Sequence, residues 1–348
     1  MRFTELAMGA QTAYSEVMEQ ARALELQASL SGLPGKFHRR QIKGRGYWYF
    51  GYRDIDGRGR MVYVGPDGER IRQLAARFDR QKNPATLAPQ SRAAIELGCA
   101  ATLPKHFRII RRLAEYGFFR VGALLIGTHA FQALGNLLGV RWLSGERTLD
   151  VDFAHAGKNI SLALPANIQI DVHGALESLE MGLLPITQFN GVAGSQYRNP
   201  DDAELRLDFV TSRTRKPGQP VVMPDLNLAL EPLKFMEYGL QDTAQGCILG
   251  RDGACVVNLP APERYAVHKL IIYGERPVSQ RAKAGKDILQ AACLVEYFLA
   301  TGRQTEFNAA WRDALGRGKG WQARALQGQK ALLRGAPDLA DEALWHAA

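Results

Sequence analysis

Three carboxylates follow a glycine turn in this chain. Asp150 and Asp152 lie in Leu149-Asp150-Val151-Asp152-Phe153 and Asp208 in Leu205-Arg206-Leu207-Asp208-Phe209, both downstream of Ile126-Gly127-Thr128. Side chains alternate between faces in an extended segment, so Asp150 and Asp152 share one face while Leu149, Val151 and Phe153 pack behind it. Asp208 repeats that logic in a second run. Carboxylates converging at one sheet edge repel one another unless cations neutralise them, and hard oxygen ligands suit Mg²⁺ or Mn²⁺. Two-metal phosphoryl transfer is the chemistry such a set serves. Asp171, in Ile168-Gln169-Ile170-Asp171-Val172, has a similar alternating setting and is the substitute for Asp208 as third carboxylate.

Other side chains suit the same chemistry. Gly127 permits a strand-to-helix turn whose backbone N–H groups approach phosphate closely, and Thr128 adds a hydroxyl. His129 follows directly, either at the substrate or satisfied by backbone. Tyr265 and Lys269 stand four residues apart on a predicted helix, where both reach phosphate or base if that face lines the cleft. Lys283, Lys286 and Asp287 form the charged start of another helix; Lys286 reads either as a phosphate ligand or, with Asp287, as a structural interdomain pair, and Asp287 as a cap or a partner for a lysine.

A separate cluster near the N-terminus joins Lys36, His38, Arg39, Arg40, Lys43 and Arg45 to Tyr47, Trp48, Tyr49 and Tyr52. Cations that track phosphates beside aromatics that stack on unpaired bases are what RNA binding requires. The competing reading is a solvated basic loop next to core aromatics.

These residues must be positioned by the following elements. Residues 4–29 read as one amphipathic helix, stopped by Ser31-Gly32-Leu33-Pro34-Gly35. Tyr47 to Arg53 and Arg60 to Pro66 read as a β-hairpin around Asp56-Gly57, followed by a basic helix over 69–82 and a linker from Asn83 to Gln90. A helix over 104–116 leads into a strand over 118–126, then a helix over 128–138. Past the Asp150 strand, 159–172 reads as extended and 175–182 as a short helix. After the Asp208 strand, Arg213 to Pro220 is a basic loop, and Cys247 to Val257 is a hairpin. From Pro260 on the pattern is helical, over 261–274, 280–301 and 304–315, with a frayed Ala-rich tail.

Composition restricts the function classes. The 348 residues carry a net charge of +9, and residues 1–100 alone hold 16 Lys/Arg against 10 Asp/Glu, which points to an anionic partner. No apolar run approaches the roughly 20 residues of a membrane span, and the N-terminal residues lack a secretory pattern, so a cytoplasmic protein is expected. Cys99, Cys247, Cys255 and Cys293 are scattered without zinc spacing and read as reduced, buried thiols.

The order strand, Gly-Thr turn, helix, Asp-x-Asp strand, third acidic strand resembles the nucleotidyltransferases of the DNA polymerase beta superfamily. The chain is also similar to a bacterial family of nucleotidyltransferase fold through Gly127-Thr128-His129-Ala130-Phe131, Tyr63-Val64-Gly65-Pro66, Pro262 to Leu270 and Lys286 to Ala292. The resemblance implies an α/β (α+β) protein. Its mixed sheet would carry a helical C-terminal domain and a basic N-terminal helix and hairpin module. The corresponding boundaries are 1–34 for the helix, 35–100 for the basic module and linker, 101–260 for the core and 261–348 for the helical domain.

It further implies that Gly127 and Thr128 hold the phosphates of an NTP such as ATP, to which the reading of the helices adds Lys269 and Lys286. Asp150 and Asp152 would bind two Mg²⁺ or Mn²⁺ ions, while Asp208 completes one site and helps deprotonate the acceptor. Acceptors would be hydroxyls of RNA (tRNA included), protein or a small molecule. Nucleotidyltransferases of this class also act as toxins and in phage defence, which adds an antitoxin to the expected partners. The 21 residues between Thr128 and Asp150 exceed the usual spacer and hold Arg141, Trp142, Ser144, Gly145, Glu146 and Arg147. A catalytically inactive nucleic-acid-binding protein of the same fold, contacting RNA through Lys36, Arg39, Arg40, Lys43, Arg45 and Trp48, is the alternative.

Overall fold

The computed structural model describes residues 1–30, 35–53, 59–82, 87–145, 148–156, 170–186, 194–212 and 219–346. The N-terminal part runs β1 (Phe3–Glu5), α1 (Met8–Leu30), β2 (Gly35–Ile42), β3 (Arg45–Arg53), β4 (Gly59–Pro66), α2 (Glu69–Lys82) and α3 (Ala88–Glu96). In α1, Ala10, Tyr14, Val17, Met18 and Ala21 recur every three or four residues and pack with Ala94, Cys247, Leu249 and Val256. The sequence anticipates a two-stranded hairpin, whereas β2, β3 and β4 form a three-stranded antiparallel sheet. Lys43 and Gly44, at φ 48° and 76°, make the tight turn that adds β2. The expected Asp-Gly turn lies outside the described residues. So does half of the expected linker, 83–86, and α3 begins at Ala88 with a proline in its first turn.

The central part comprises α4 (Pro104–Glu115), β5 (Ala123–Ile126), α5 (Gly127–Leu137), β6 (Val140–Trp142), β7 (Asp150–His155), α6 (Val172–Glu177), β8 (Leu184–Pro185), β9 (Gln196–Arg198), β10 (Arg206–Ser212), β11 (Val221–Met223), β12 (Leu228–Leu233), α7 (Met236–Gly239), β13 (Thr243–Gly250) and β14 (Gly253–Pro260). Its sheet is mixed, in the order β11-β12-β10-β7-β5, with β9 beside β10 and β8 beside β9. β7 and β10 are parallel while β5 runs antiparallel to β7. Phe153 and Phe209, one residue beyond their aspartates, stack at 5.1 Å and hold the sheet against Phe118.

Three local expectations change. The run 118–126 is a strand only from Ala123. Gly117 and Gly122 take φ values of 87° and 91°, which turns Phe118 and Phe119 into the core ahead of the strand. Asp171 is not on a strand: its carboxylate accepts from the Gly174 N–H and caps α6. Residues 157–169, where an extended pair was expected, lie outside the described set, as does most of the basic loop after β10. The long spacer after Thr128 contains β6, which pairs with β1.

The C-terminal part is α8 (Pro262–Glu275), α9 (Arg281–Ala300), α10 (Gln304–Gly316), α11 (Lys319–Gly335) and α12 (Glu342–Trp345). The tail is packed rather than frayed, because Leu332, Leu339 and Leu344 are buried and Trp345 meets Trp311 edge-on. All four cysteines are free and buried. Among the described residues, no helix is long and apolar enough to cross a membrane.

Candidate active site

Parallel pairing of β7 with β10 sets Asp208 directly across from Asp152, with Arg206 across from Asp150. On the other side of β7, Ile126 faces Asp152, which brings Gly127 to the same edge. One carboxylate oxygen from each of Asp150, Asp152 and Asp208 lies within 4.8 Å of the others. The sheet thus gathers three residues separated by up to 58 positions, by alternation within one strand and register between two.

Gly127 has φ 61°, in the left-handed region, and a Cβ there would collide with the Asp152 carboxylate. Only glycine lets the turn into α5 pass this close to the acids. Thr128 is 4% exposed, and its hydroxyl sits 3.4 Å from Gln290 Nε2 of α9, so the side chain faces the interior. His129 is also interior. Its Nε2 lies 3.0 Å from His106 Nδ1, and burial pushes the two rings down to about 3 and about 4, which leaves both neutral.

The carboxylates differ in electrostatic setting. Burial, with the charges of Asp150 and Asp208 added, pushes Asp152 up to about 7. Burial acts on Asp150 too, yet the Thr148 hydroxyl at 2.5 Å and the charges of Lys283 and Lys286 hold it below the ordinary carboxylate range. Asp208 receives Arg206 Nε on Oδ2 at 3.2 Å, while its shielded Oδ1 has no hydrogen-bond donor among the described residues. An orphaned, buried carboxylate oxygen beside two further carboxylates fits a hard divalent cation, which accepts oxygen ligands without needing a proton.

Next to Asp152 and Gly127 opens a cavity of about 410 Å³, walled by β10, the end of β12, α7 and α8. Val210 and Met236 give it apolar surface, while Lys234 pairs with Glu275 and Lys269 and Arg276 pair with Asp287, a mixture and size suited to a polar ligand with a flat ring. Lys269 is not a lone charge: its Nζ meets Asp287 Oδ1 at 2.8 Å and lies 5.2 Å from the Tyr265 ring. Burial works to lower Lys269, but Tyr265 and Asp287 hold it above the usual lysine range. Asp287 lies within α9, which starts at Arg281, and so is an internal ion-pair partner and not a helix cap. Lys286 is lowered by burial, partly offset by Asp150 and Asp152.

Two contributors escaped the sequence reading. Arg276 lines the cavity and shares Asp287 with Lys269. Gln290, 0% exposed, donates to the Gly145 carbonyl at 2.9 Å and sits 2.9 Å from the Tyr265 hydroxyl, which also reaches the Gly127 carbonyl. Its position one helical turn after Lys286 was the available signal.

The basic N-terminal residues divide between two settings. Trp48 Nε1 donates to Asp67 at 2.9 Å, and Arg39 pairs with the same carboxylate at 2.5 Å. Arg40, Lys43 and Arg45 are exposed. Lys36 falls on β2, opposite Gly51.

The chain matches the model of a protein family described as Nucleotidyltransferase over residues 105–316. In structure it is similar to an antigenic nucleotidyltransferase-like protein from Paracoccidioides brasiliensis, at 18% identity and a TM-score of 0.35, with 70% of this chain and 94% of that one covered. No curated protein matches it.

Proposed function

The chain belongs to this nucleotidyltransferase family, whose match spans Gly127, the three aspartates, Lys269 and Lys286. From that premise we propose that it transfers a nucleoside monophosphate from an NTP to a hydroxyl of an RNA, a protein or a small molecule, with release of pyrophosphate. The observation that carries this reading is the register of Asp208 against Asp152, with Asp150 two residues earlier on the same strand.

Asp150, Asp152 and Asp208 would hold the divalent cations, Mg²⁺ or Mn²⁺. Bound there, such ions neutralise triphosphate charge and acidify an attacking hydroxyl. The protein's own groups do the rest. Asp208, besides its share in holding the cation, would help take the hydroxyl proton. The Gly127 turn brings backbone N–H groups up to the phosphates, and Lys286 adds positive field beside Asp150. The cavity holds the nucleoside, with Val210 and Met236 against its base and Gly127 and Asp152 at the end nearest the phosphates.

Incubation with each α-³²P-labelled NTP, Mg²⁺ or Mn²⁺, and total RNA or cell lysate tests the proposal. Label should enter one acceptor class with the wild type and none with Asp150→Asn/Asp152→Asn. Absence of label with all four nucleotides and both metals would overturn it.

A further inference from the structure

Between positions 35 and 82 the chain carries 13 Lys/Arg against five Asp/Glu, a net +8 within a chain whose total is +9. Six of these Lys/Arg lie on β2, β3 and β4. His38 stands opposite Tyr49 and Arg40 opposite Tyr47, and Tyr49 stands opposite Tyr63. Strand alternation therefore puts His38, Arg40, Tyr47, Tyr49 and Tyr63 on one face. Phe37, Trp48 and Phe50 cluster on the other, with Phe37 ring centroids 5.0 Å from Phe50 and 6.4 Å from Trp48.

That second face is the one tied to α2. Asp67, just ahead of α2, receives Trp48 and also pairs with Arg39 and with Arg72 of α2. The tyrosine face is different. Tyr63 is 54% and Met61 41% exposed, and His38 and Arg40 are exposed. The Tyr63 ring lies 6.2 Å from Tyr47 and 5.6 Å from Tyr49, and the Arg40 guanidinium lies 5.8 Å from the Tyr49 centroid. Three linked aromatic rings, Tyr63 exposed and Tyr47 and Tyr49 half-buried, thus lie beside the exposed Arg40 and His38.

We propose that this face binds single-stranded RNA, with unpaired bases stacking on Tyr47, Tyr49 and Tyr63 and phosphates meeting Arg40 and His38. Charge complementarity and ring exposure carry the choice. A polyanion without bases would use the cations but gain nothing from a row of tyrosines, whereas every base has a face to stack. RNA, more than other polyanions, presents unstacked bases in loops and at ends. His38, Arg40, Tyr47 and Tyr49 come from the cluster the sequence singled out and Tyr63 is added by the pairing of β4, while Trp48 and Arg39 are engaged by Asp67. The proposal stands apart from the transfer reaction.

The test is fluorescence anisotropy of a labelled, unstructured RNA 12-mer with the full chain at two salt concentrations. Tyr49→Ala and Tyr63→Ala should each weaken binding roughly tenfold, and Tyr49→Phe should retain it, since a ring without its hydroxyl still stacks. Binding should also weaken as salt rises. Asp150→Asn/Asp152→Asn should bind as the wild type does, which separates failure of this proposal from failure of the transfer reaction. The proposal is overturned by Tyr63→Ala binding at wild-type strength while folded by circular dichroism. Equal or tighter binding of inorganic polyphosphate, single-stranded DNA, an acidic protein or anionic vesicles would overturn it as well.

Discussion

Asp287 sits between Lys269 and Arg276 inside the molecule, 2.8 Å from the first and 2.5 Å from the second, with its side chain 3% exposed. The pair joins α9 to α8, and one turn back along α8 the Tyr265 hydroxyl reaches the Gly127 carbonyl at 2.9 Å. Charge in the helical part is thereby coupled to the glycine turn behind the aspartates.

Removing Asp287 should therefore destabilise the fold. Asp287→Ala leaves two cations without their shared partner in a shielded place, and breaking a buried pair from one side typically costs about 3–5 kcal/mol. The urea midpoint should fall with the slope unchanged, whereas a midpoint like that of the wild type would mean that Lys269 and Arg276 find other partners.

Gly127→Ala should abolish activity with a smaller effect on stability. The φ of 61° and the Asp152 carboxylate leave no room for a Cβ, so the turn must move off the acids. Gly9, in α1, is the control, because a Cβ added there would meet nothing within 4 Å. Gly9→Ala should leave transfer unchanged and gain up to about 1 kcal/mol. Mn²⁺ affinity and label transfer, measured on both variants, check this.

Asp152 gives a pH dependence of definite sign. Its carboxyl ionises near 3.8 in an ordinary setting and near 7 in the fold, because burial and the neighbouring aspartates oppose its charge. Between those values the unfolded chain holds fewer protons than the folded one, so this group lowers stability progressively as pH rises, with the full cost present above about 7. Asp152→Asn should melt higher than wild type at pH 8, and the gap should close toward pH 4. Added Mn²⁺ at pH 8 should raise the wild-type melting temperature alone. A gap that does not vary with pH would contradict the assignment.

The clustering of the aspartates was legible in the sequence because it is built on strands. Alternation gave the shared face of Asp150 and Asp152, and apolar neighbours marked the Asp208 strand. The choice of Asp208 over Asp171 was not legible. Both lie among alternating apolar residues, and only the register of β10 against β7 and the capping bond of Asp171 separate them. Lys269 and Asp287 were each visible as charged residues, but their pairing depends on how α8 crosses α9, which no local pattern encodes. Strand β2 was missed because its basic residues fall on both faces, and the Lys43 turn uses a positive φ that lysine seldom adopts. Trp48 likewise could not be assigned to a face before the pairing with β4 was known.

Mn²⁺ binding followed by electron paramagnetic resonance tests the central claim most directly, since the signal of free Mn²⁺ disappears as the ion binds. Wild-type protein at pH 8 should deplete the free signal, more strongly with NTP present, and Asp150→Asn, Asp152→Asn and Asp208→Asn should each lose most of that depletion. Depletion by the three variants equal to that by wild type would contradict the assignment of these carboxylates as the cation site.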